Sequence, residues 1–195
     1  TGVQTCALPI FYARRRQFAL AQEAFESVID MRGDDAELRA ELGALFQAQN
    51  REDLALVQLK RSVELDQTNR EARLKLSAIY EKHGRLDYAV KELEEAIRFQ
   101  PQDLALNRRL GELYLQRNDL GRALAVFENV VRLDPACAEM QNKLGRLYLK
   151  KDYTAESIEA YKQAVELNKV EPEFREDLAM AHYCNGDFPA AIVEL

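Results

Sequence analysis

The amino-acid sequence predicts an all-α solenoid of antiparallel helix pairs, with one pair in every 34 residues. The first observation is a leucine followed by a small residue, which recurs at a constant spacing of 34 residues. The five dipeptides are Leu42-Gly43, Leu76-Ser77, Leu110-Gly111, Leu144-Gly145 and Leu178-Ala179. The second observation is a scarcity of helix breakers, since the 195 residues include only 8 Gly and 5 Pro. Such a period is typical of stacked repeats, in which each helix pair buries its apolar face against its neighbours.

The first helix of each pair carries this dipeptide and, in most repeats, an aromatic residue three positions after the small one. Leu110, Gly111 and Tyr114 are spaced i, i+1 and i+4, so they share one face of a helix. The equivalents of Tyr114 in the other pairs are Phe46, Tyr80, Tyr148 and His182. Because the second residue of the dipeptide is small, we expect the second helix of the pair to approach closely there.

The second helix of each pair carries a matching apolar stripe. Ala123, Phe127 and Val130 are spaced i, i+4 and i+7, and we expect the aromatic ring to fill the hollow over the small residue of the first helix. The equivalents of Ala123 are Ala21, Ala55, Ala89, Ser157 and Ala191. Pro135 follows this helix, which it ends because proline cannot continue the hydrogen-bond ladder.

These residues together resemble the tetratricopeptide repeat family, whose 34-residue repeat has a leucine-glycine dipeptide followed by Tyr, Ala, Phe and Pro at fixed positions. The resemblance covers residues 12–195 and implies a right-handed superhelical solenoid. It predicts four full repeats within residues 36–171, a partial first repeat at 11–35 and a truncated repeat at 172–195. The full repeats are predicted at 36–69, 70–103, 104–137 and 138–171. The chain departs from the family in lacking the large aromatic residue early in the first helix.

Residues 1–10 resemble a translated sequencing adapter, in frame. The peptide Thr-Gly-Val-Gln-Thr-Cys-Ala-Leu-Pro-Ile matches a widely used short-read library adapter over its whole length. Pro9 supports this interpretation, because a proline inside a helix costs about 3 kcal/mol. The alternative is a genuine N-terminal tail. We expect the sequence to be a fragment of a larger bacterial protein.

Composition and motifs disfavour several classes of function. The net charge of −6 and the pI of about 5.2 argue against nucleic-acid binding, because no basic excess is present to neutralise phosphates. No apolar run approaches the roughly 18 residues that cross a membrane. The three cysteines form no C-x-x-C pair, which favours a reducing, cytoplasmic location. With only two histidines and no catalytic motif, the sequence predicts no enzyme activity, no cofactor and no metal site.

The resemblance implies that ligands bind to the concave face formed by the first helices. The predicted peptide-binding residues are Arg108, Arg109, Leu115, Asn142, Lys143, Arg146, Leu149, Lys150 and Tyr183. This face is basic in its middle and acidic towards the C-terminal end, so we expect an acidic peptide or protein partner. The alternative is that the arginines only solvate the face and pair with neighbouring carboxylates, as Arg108 would with Glu112 at i+4.

The function predicted from these features is that of a protein–protein interaction scaffold. One alternative is the substrate-docking arm of a larger enzyme, such as a glycosyltransferase. Another is a helical-repeat RNA binder, which the acidic pI disfavours. Ala191, Ile192 and Leu195 fall on the apolar side of the last helix, so self-association through this uncapped end is also expected, because repeat arrays need a polar cap for solubility.

Overall fold

The computed structural model describes residues 2–195, apart from the side chains of residues 2–7 and Arg32. The described residues form twelve α-helices and no strand, which confirms the all-α prediction. The helices are α1 (Gly2–Arg14), α2 (Phe18–Arg32), α3 (Ala36–Ala48), α4 (Glu52–Leu65), α5 (Arg70–Lys82), α6 (Leu86–Phe99), α7 (Leu104–Gln116), α8 (Leu120–Leu133), α9 (Ala138–Lys150), α10 (Thr154–Leu167), α11 (Pro172–Cys184) and α12 (Phe188–Glu194). The chain divides into a first compact unit that ends at Phe99, with α1–α6, and a second that spans Gln100–Leu195, with α7–α12.

The turn inside each helix pair has the same backbone geometry in all six pairs. Its middle residue adopts a positive φ of 57° to 79°, and these residues are again 34 positions apart: Arg16, Asn50, Gly84, Asn118, Asp152 and Gly186. The next N–H donates to the carbonyl of the repeated aromatic or histidine position, as Asp119 does to Tyr114 at 2.9 Å. Glycine, asparagine and aspartate tolerate this left-handed conformation best, so five of the six turns carry a suited residue.

The small residue of the repeated dipeptide marks a close crossing of two helices. A Cβ atom added to Gly111 would lie 2.7 Å from Cζ of Phe127, and one added to Gly145 would lie 2.8 Å from Cδ1 of Tyr161. The ring of the second helix therefore occupies the hollow that the sequence predicts. In the first unit Ser77 stands at the same position, and its hydroxyl donates to the Ala89 carbonyl at 3.0 Å.

The core of the second unit follows the repeat. Ala123, Phe127 and Val130 of α8 have no exposed surface. Between the last two pairs, Ile158 and Tyr161 of α10 pack against residues of α11. Their partners are Leu178 and Ala181. Burial raises the pKa of the Tyr161 hydroxyl, because the charged form is disfavoured in an apolar environment.

The residues that resemble an adapter lie in a helix, since α1 begins at Gly2. Pro9 is inside this helix and its side chain is buried. Pro9 was expected to disfavour a helix at this place, but the structure has a helix here that includes the proline. The origin of residues 1–10 stays a prediction, and Thr1 lies outside the described residues.

Candidate functional site

In the second unit, ion pairs connect α7, α9 and α11, which are the first helices of its three helix pairs. Lys143 of α9 contacts Glu112 of α7, with Nζ 3.3 Å from Oε1. Arg146 of α9 contacts α11 twice, with Nη2 2.7 Å from Oδ2 of Asp177 and 2.5 Å from Oε1 of Glu173. We call the surface formed by α7, α9 and α11 the first-helix face.

Two further cations predicted for this face, Arg108 and Arg109, are also paired. Arg108 Nη2 lies 3.3 Å from Oδ2 of Asp134 and 3.4 Å from Sγ of Cys137. Arg109 Nη1 lies 3.4 Å from Oε2 of Glu112. The expected pair of Arg108 with Glu112 is wrong, because Arg108 turns towards the loop before α9 and Arg109 approaches Glu112 at i+3.

Arg146 is the best-held cation of the face. Hydrogen bonds to Glu173 and then to Asp177 raise its pKa above the usual value for a guanidinium. Its side chain is 47% exposed, so solvent screens both ion pairs and each contributes only about 0–1 kcal/mol to stability. Arg146 therefore contributes little to the stability of the fold. Its main effect is to pair with two carboxylates of α11 and so set the distribution of charge between α9 and α11.

The predicted apolar residues lie at the same face but differ in exposure. Leu115 and Leu149 are half-buried, whereas Tyr183 is 60% exposed. The Tyr183 ring packs edge-on against Phe188 of α12, with ring centroids 5.4 Å apart. Lys150 is exposed at the end of α9. The leucines therefore offer apolar contact on α7 and α9, while Tyr183 belongs to an aromatic pair of α11 and α12.

A cavity of about 300 Å³ opens between α9 and α11. Its walls are Glu139, Asn142, Lys143, Arg146, Asn168, Glu171, Glu173 and Phe174. Only 5% of Asn142 is exposed, and its Oδ1 is buried without a hydrogen-bond partner. An unpaired buried amide oxygen costs about 1–3 kcal/mol, so a ligand that donated to this oxygen, once the amide turned it towards the cavity, would relieve that cost.

Five of these wall residues, namely Glu139, Asn168, Glu171, Glu173 and Phe174, were not among the residues predicted for the site. Asn168 and Glu171 lie in the turn between α10 and α11, outside the helical positions on which the prediction rested. Glu139 stands at the second position of its repeat, which the family pattern places on the inner face. That position was a usable signal for Glu139, whereas nothing in the helical periodicity indicated the two turn residues.

A second, apolar cavity of about 630 Å³ lies at α11 and α12. Its lining includes Met180, Tyr183, Phe188, Ile192 and Leu195, which are all more than half exposed. Ile192 and Leu195 are the 34-residue counterparts of Ile158 and Tyr161, which are buried against α11. The surface therefore has the chemistry of an interface with one more helix.

The first unit has a cavity of a different character, about 470 Å³ in volume, at α3 and α5. Carboxylates dominate its walls: Asp35, Glu37, Glu41, Asp66 and Glu71. The Asp66 carboxyl accepts hydrogen bonds from the side chain and backbone of Thr68, which lower its pKa. Glu71 is neutralised in part by Lys75 at 2.7 Å.

Among the residues whose side chains the structure describes, no group of three or more His, Cys, Asp or Glu is arranged to hold a metal ion. The same residues include no helix that is both long and apolar enough to span a membrane. His182 is 8% exposed, with Nδ1 3.9 Å from Oδ2 of Asp187. It packs at the repeated aromatic position, as the sequence predicts.

Comparison with protein families identifies the repeat. Family models described as tetratricopeptide repeat match residues 80–147 and residues 138–170. Among curated proteins, none matches the chain.

Comparison with solved structures shows the fold. YrrB, described as a TPR protein with an unusual peptide-binding site, has a TM-score of 0.74 at 18% identity, and the alignment covers 89% of each chain. A MamA fragment from Desulfovibrio magneticus RS-1 has a TM-score of 0.68 at 23% identity over 83% of this chain and 92% of that one. The pilF protein of Pseudomonas aeruginosa has a TM-score of 0.68 at 17% identity over 98% of this chain and 87% of that one. The prediction of a helical-repeat solenoid is confirmed.

Proposed function

Since the chain is built from tetratricopeptide repeats, we propose that its second unit binds an extended peptide segment of a partner protein on the first-helix face. The observation that carries the proposal is the buried Asn142, whose Oδ1 lacks a partner and whose side chain lines the cavity between α9 and α11. An asparagine amide can both donate to and accept from a peptide backbone. YrrB, with the same fold, is described as having a peptide-binding site, which supports a function of this class.

The apolar part of the segment contacts Leu115 and Leu149, which are half-buried on α7 and α9. An acidic part faces Arg108, Arg109 and Lys143, in agreement with the charge pattern of the sequence. Each of these cations already contacts a carboxylate, so a peptide carboxylate has to compete with a residue of the chain itself. Charge on this face consequently sets partner choice and association rate more than affinity.

Selection from a random 12-residue display library, with the chain as immobilised bait, tests this proposal. The selected peptides are then titrated by calorimetry against Asn142→Leu and against Arg132→Gln as a control on the second helix α8. We expect Asn142→Leu to weaken binding at least about tenfold, a change of about 1.4 kcal/mol that matches one lost hydrogen bond to a buried polar group. Arg132→Gln leaves binding unchanged. Peptides that bind both variants as they bind the parent chain would place the site elsewhere.

Self-association is a second proposal, carried by the apolar cavity at α11 and α12. Ile158, the 34-residue counterpart of Ile192, is buried against α11, which is the first helix of the following pair. The surface around Ile192 is therefore of the kind that a further helix covers. We propose that a second copy covers it with its own α11 and α12, giving a two-fold dimer, the most frequent closed arrangement. Light scattering should report a dimer at high concentration, and Ile192→Asp should shift the chain to monomer. A mass that stays monomeric at every concentration contradicts this proposal.

A further inference from the structure

We infer that the cavity between α9 and α11 is a subsite for one basic side chain, a lysine or an arginine, of the bound peptide. The inference rests on the proposed function and assigns the residue type that this part of the first-helix face selects. It differs from the expectation of an acidic partner, which concerns the cations of α7 and α9.

The first argument is the pairing of the charges around the cavity. Its two cations are occupied, because Lys143 contacts Glu112 and Arg146 contacts Glu173 and Asp177. Among the described residues, none forms an ion pair or hydrogen bond with the side chains of the other two carboxylates in the walls. These are Glu139 and Glu171, both exposed. The charged groups left for a ligand are therefore carboxylates.

The second argument is Asn142, the only group of the cavity walls that combines near-complete burial with an unsatisfied polar atom among the described residues. Its Oδ1 is an acceptor without a donor. That oxygen is shielded from solvent in the structure, but χ2 of asparagine is a soft torsion, so the amide can turn its oxygen towards the cavity at low cost. A guanidinium or ammonium group that enters the cavity supplies the missing N–H.

The third argument is size and geometry. A volume of about 300 Å³ is at the lower end of the range for ligand pockets, and it suits one long side chain better than a whole molecule. Arginine presents five N–H donors in one plane and can bind a carboxylate with two parallel hydrogen bonds. One edge of the guanidinium can face Glu139 or Glu171 while the other faces Asn142. A peptide carboxylate at the same place would meet two unpaired carboxylates and would have to displace Glu173 from Arg146.

The probe for this subsite is N-acetyl-arginine methylamide, titrated into the isotope-labelled chain and followed by NMR. Its matched controls are the N-acetyl methylamides of norleucine, which has a similar length and no charge, and of glutamate. We expect saturable shifts of the Asn142 side-chain amide and of the Phe174 backbone with the arginine probe alone. Equal shifts with norleucine would show an apolar pocket, and stronger shifts with glutamate would show an acid-binding site; either overturns the inference.

A charge variant gives the decisive comparison. Glu139→Gln combined with Glu171→Gln changes two exposed side chains and should weaken the arginine probe about fivefold, as expected for the loss of exposed ion pairs. The control is Glu156→Gln combined with Glu159→Gln, which makes the same charge change on α10 and should leave the titration unchanged. An unaltered affinity in the first variant contradicts the subsite.

The peptide selection separates this inference from the proposed function. If peptides are selected that need Asn142 but contain no basic residue, the subsite is wrong while peptide binding stands. If the arginine probe binds as expected but no peptide is selected, the basic subsite stands and the wider first-helix face is not a peptide site.

Discussion

The two compact units share their packing residues and differ in the faces of their first helices. Gly43 in the first unit and Gly111 in the second stand at the same close crossing, and a Cβ atom added to either would lie 2.7 Å from the second helix. At the surface, positions five and six of one repeat are Ala40 and Glu41, which line the acidic cavity at α3 and α5. The same positions of a repeat in the second unit are Asn142 and Lys143, which line the mixed cavity between α9 and α11.

This difference shows where the fold and the function of the chain are encoded. A packing position faces the equivalent position of the neighbouring helix in every repeat, so few residue types fit it. A position on the first-helix face meets solvent or a ligand, so it is free to vary from one repeat to the next. Function is therefore sought at the varying positions, since a fold alone does not define it.

The largest expected effect is at the shared packing positions. Gly111→Leu should destabilise the chain by about 2–4 kcal/mol in denaturant unfolding, because the new side chain collides with the Phe127 ring. Gly121→Ala is the matched control, since the nearest atoms to an added Cβ lie 3.9 Å away. As an exposed helix glycine, it should gain about 0.5–1 kcal/mol. A Gly111→Leu chain that loses less than about 0.5 kcal/mol would mean that the crossing does not constrain the repeat.

A second prediction compares two buried asparagines of the second unit. Asn107 is fully bonded: its Nδ2 donates to the Asp103 carbonyl at 2.8 Å and its Oδ1 accepts from Asn129 at 3.1 Å. Asn107→Ala should therefore cost about 1–3 kcal/mol, because it removes the hydrogen bonds that this buried side chain forms. Asn142→Leu should be within about 0.5 kcal/mol of the parent chain or more stable, because no bond of its oxygen is lost. If both variants were equally destabilised, Asn142 would be structural.

The third prediction concerns acid stability in the first unit. Hydrogen bonds from Arg39 and then from Arg61 lower the pKa of Asp34 below 3.8. A lowered pKa in the folded state contributes stability above the unfolded pKa and loses it as the pH falls through the folded one. Asp34→Asn should therefore unfold at lower denaturant concentration than the parent chain at pH 7, and the two midpoints should converge as the pH falls below the lowered pKa of Asp34. Parallel curves over the whole pH range would show that the ion pairs of Asp34 contribute nothing.

A smaller effect is expected at the turn positions. Arg16 is the one residue of the six repeated turn positions that is poorly suited to its positive φ of 57°. Arg16→Gly should raise stability by less than about 1 kcal/mol, because relief of strain is offset in part by the greater freedom of glycine in the unfolded chain. Gly84→Ala, at a φ of 70°, should have the opposite sign. Thermal melts of both variants test this prediction. A lower melting temperature for Arg16→Gly than for the parent chain would contradict the turn assignment.

The smallest effect is expected from removal of residues 1–10. If these residues derive from an adapter, a chain that starts at Phe11 should melt within about 2 °C of the 195-residue chain, which corresponds to at most about 1 kcal/mol for a chain of this size. The burial of Pro9 gives the opposite expectation. A melting temperature lower by several degrees would show that contacts between this part of α1 and α2 stabilise the chain.

The sequence by itself determined the helix pairs, their period and their close crossings. Leu110, Gly111 and Phe127 recur in kind every 34 residues, because helix packing imposes the same steric demand on each pair. Helical periodicity also placed Arg146 and Leu149 on one face, since positions three and four apart in a helix are neighbours.

Only the tertiary structure decided which charges meet and where a cavity opens. Arg146 pairs with Asp177, which is 31 residues away on the next first helix, and Arg108 pairs with Asp134 instead of Glu112. Side chains of this length reach several carboxylates, and the choice depends on rotamers and on the distance between neighbouring helices. The same holds for Asn168 and Glu171, turn residues that no helical period locates, and for Asn142, whose missing partner becomes visible only when all of its neighbours are in place.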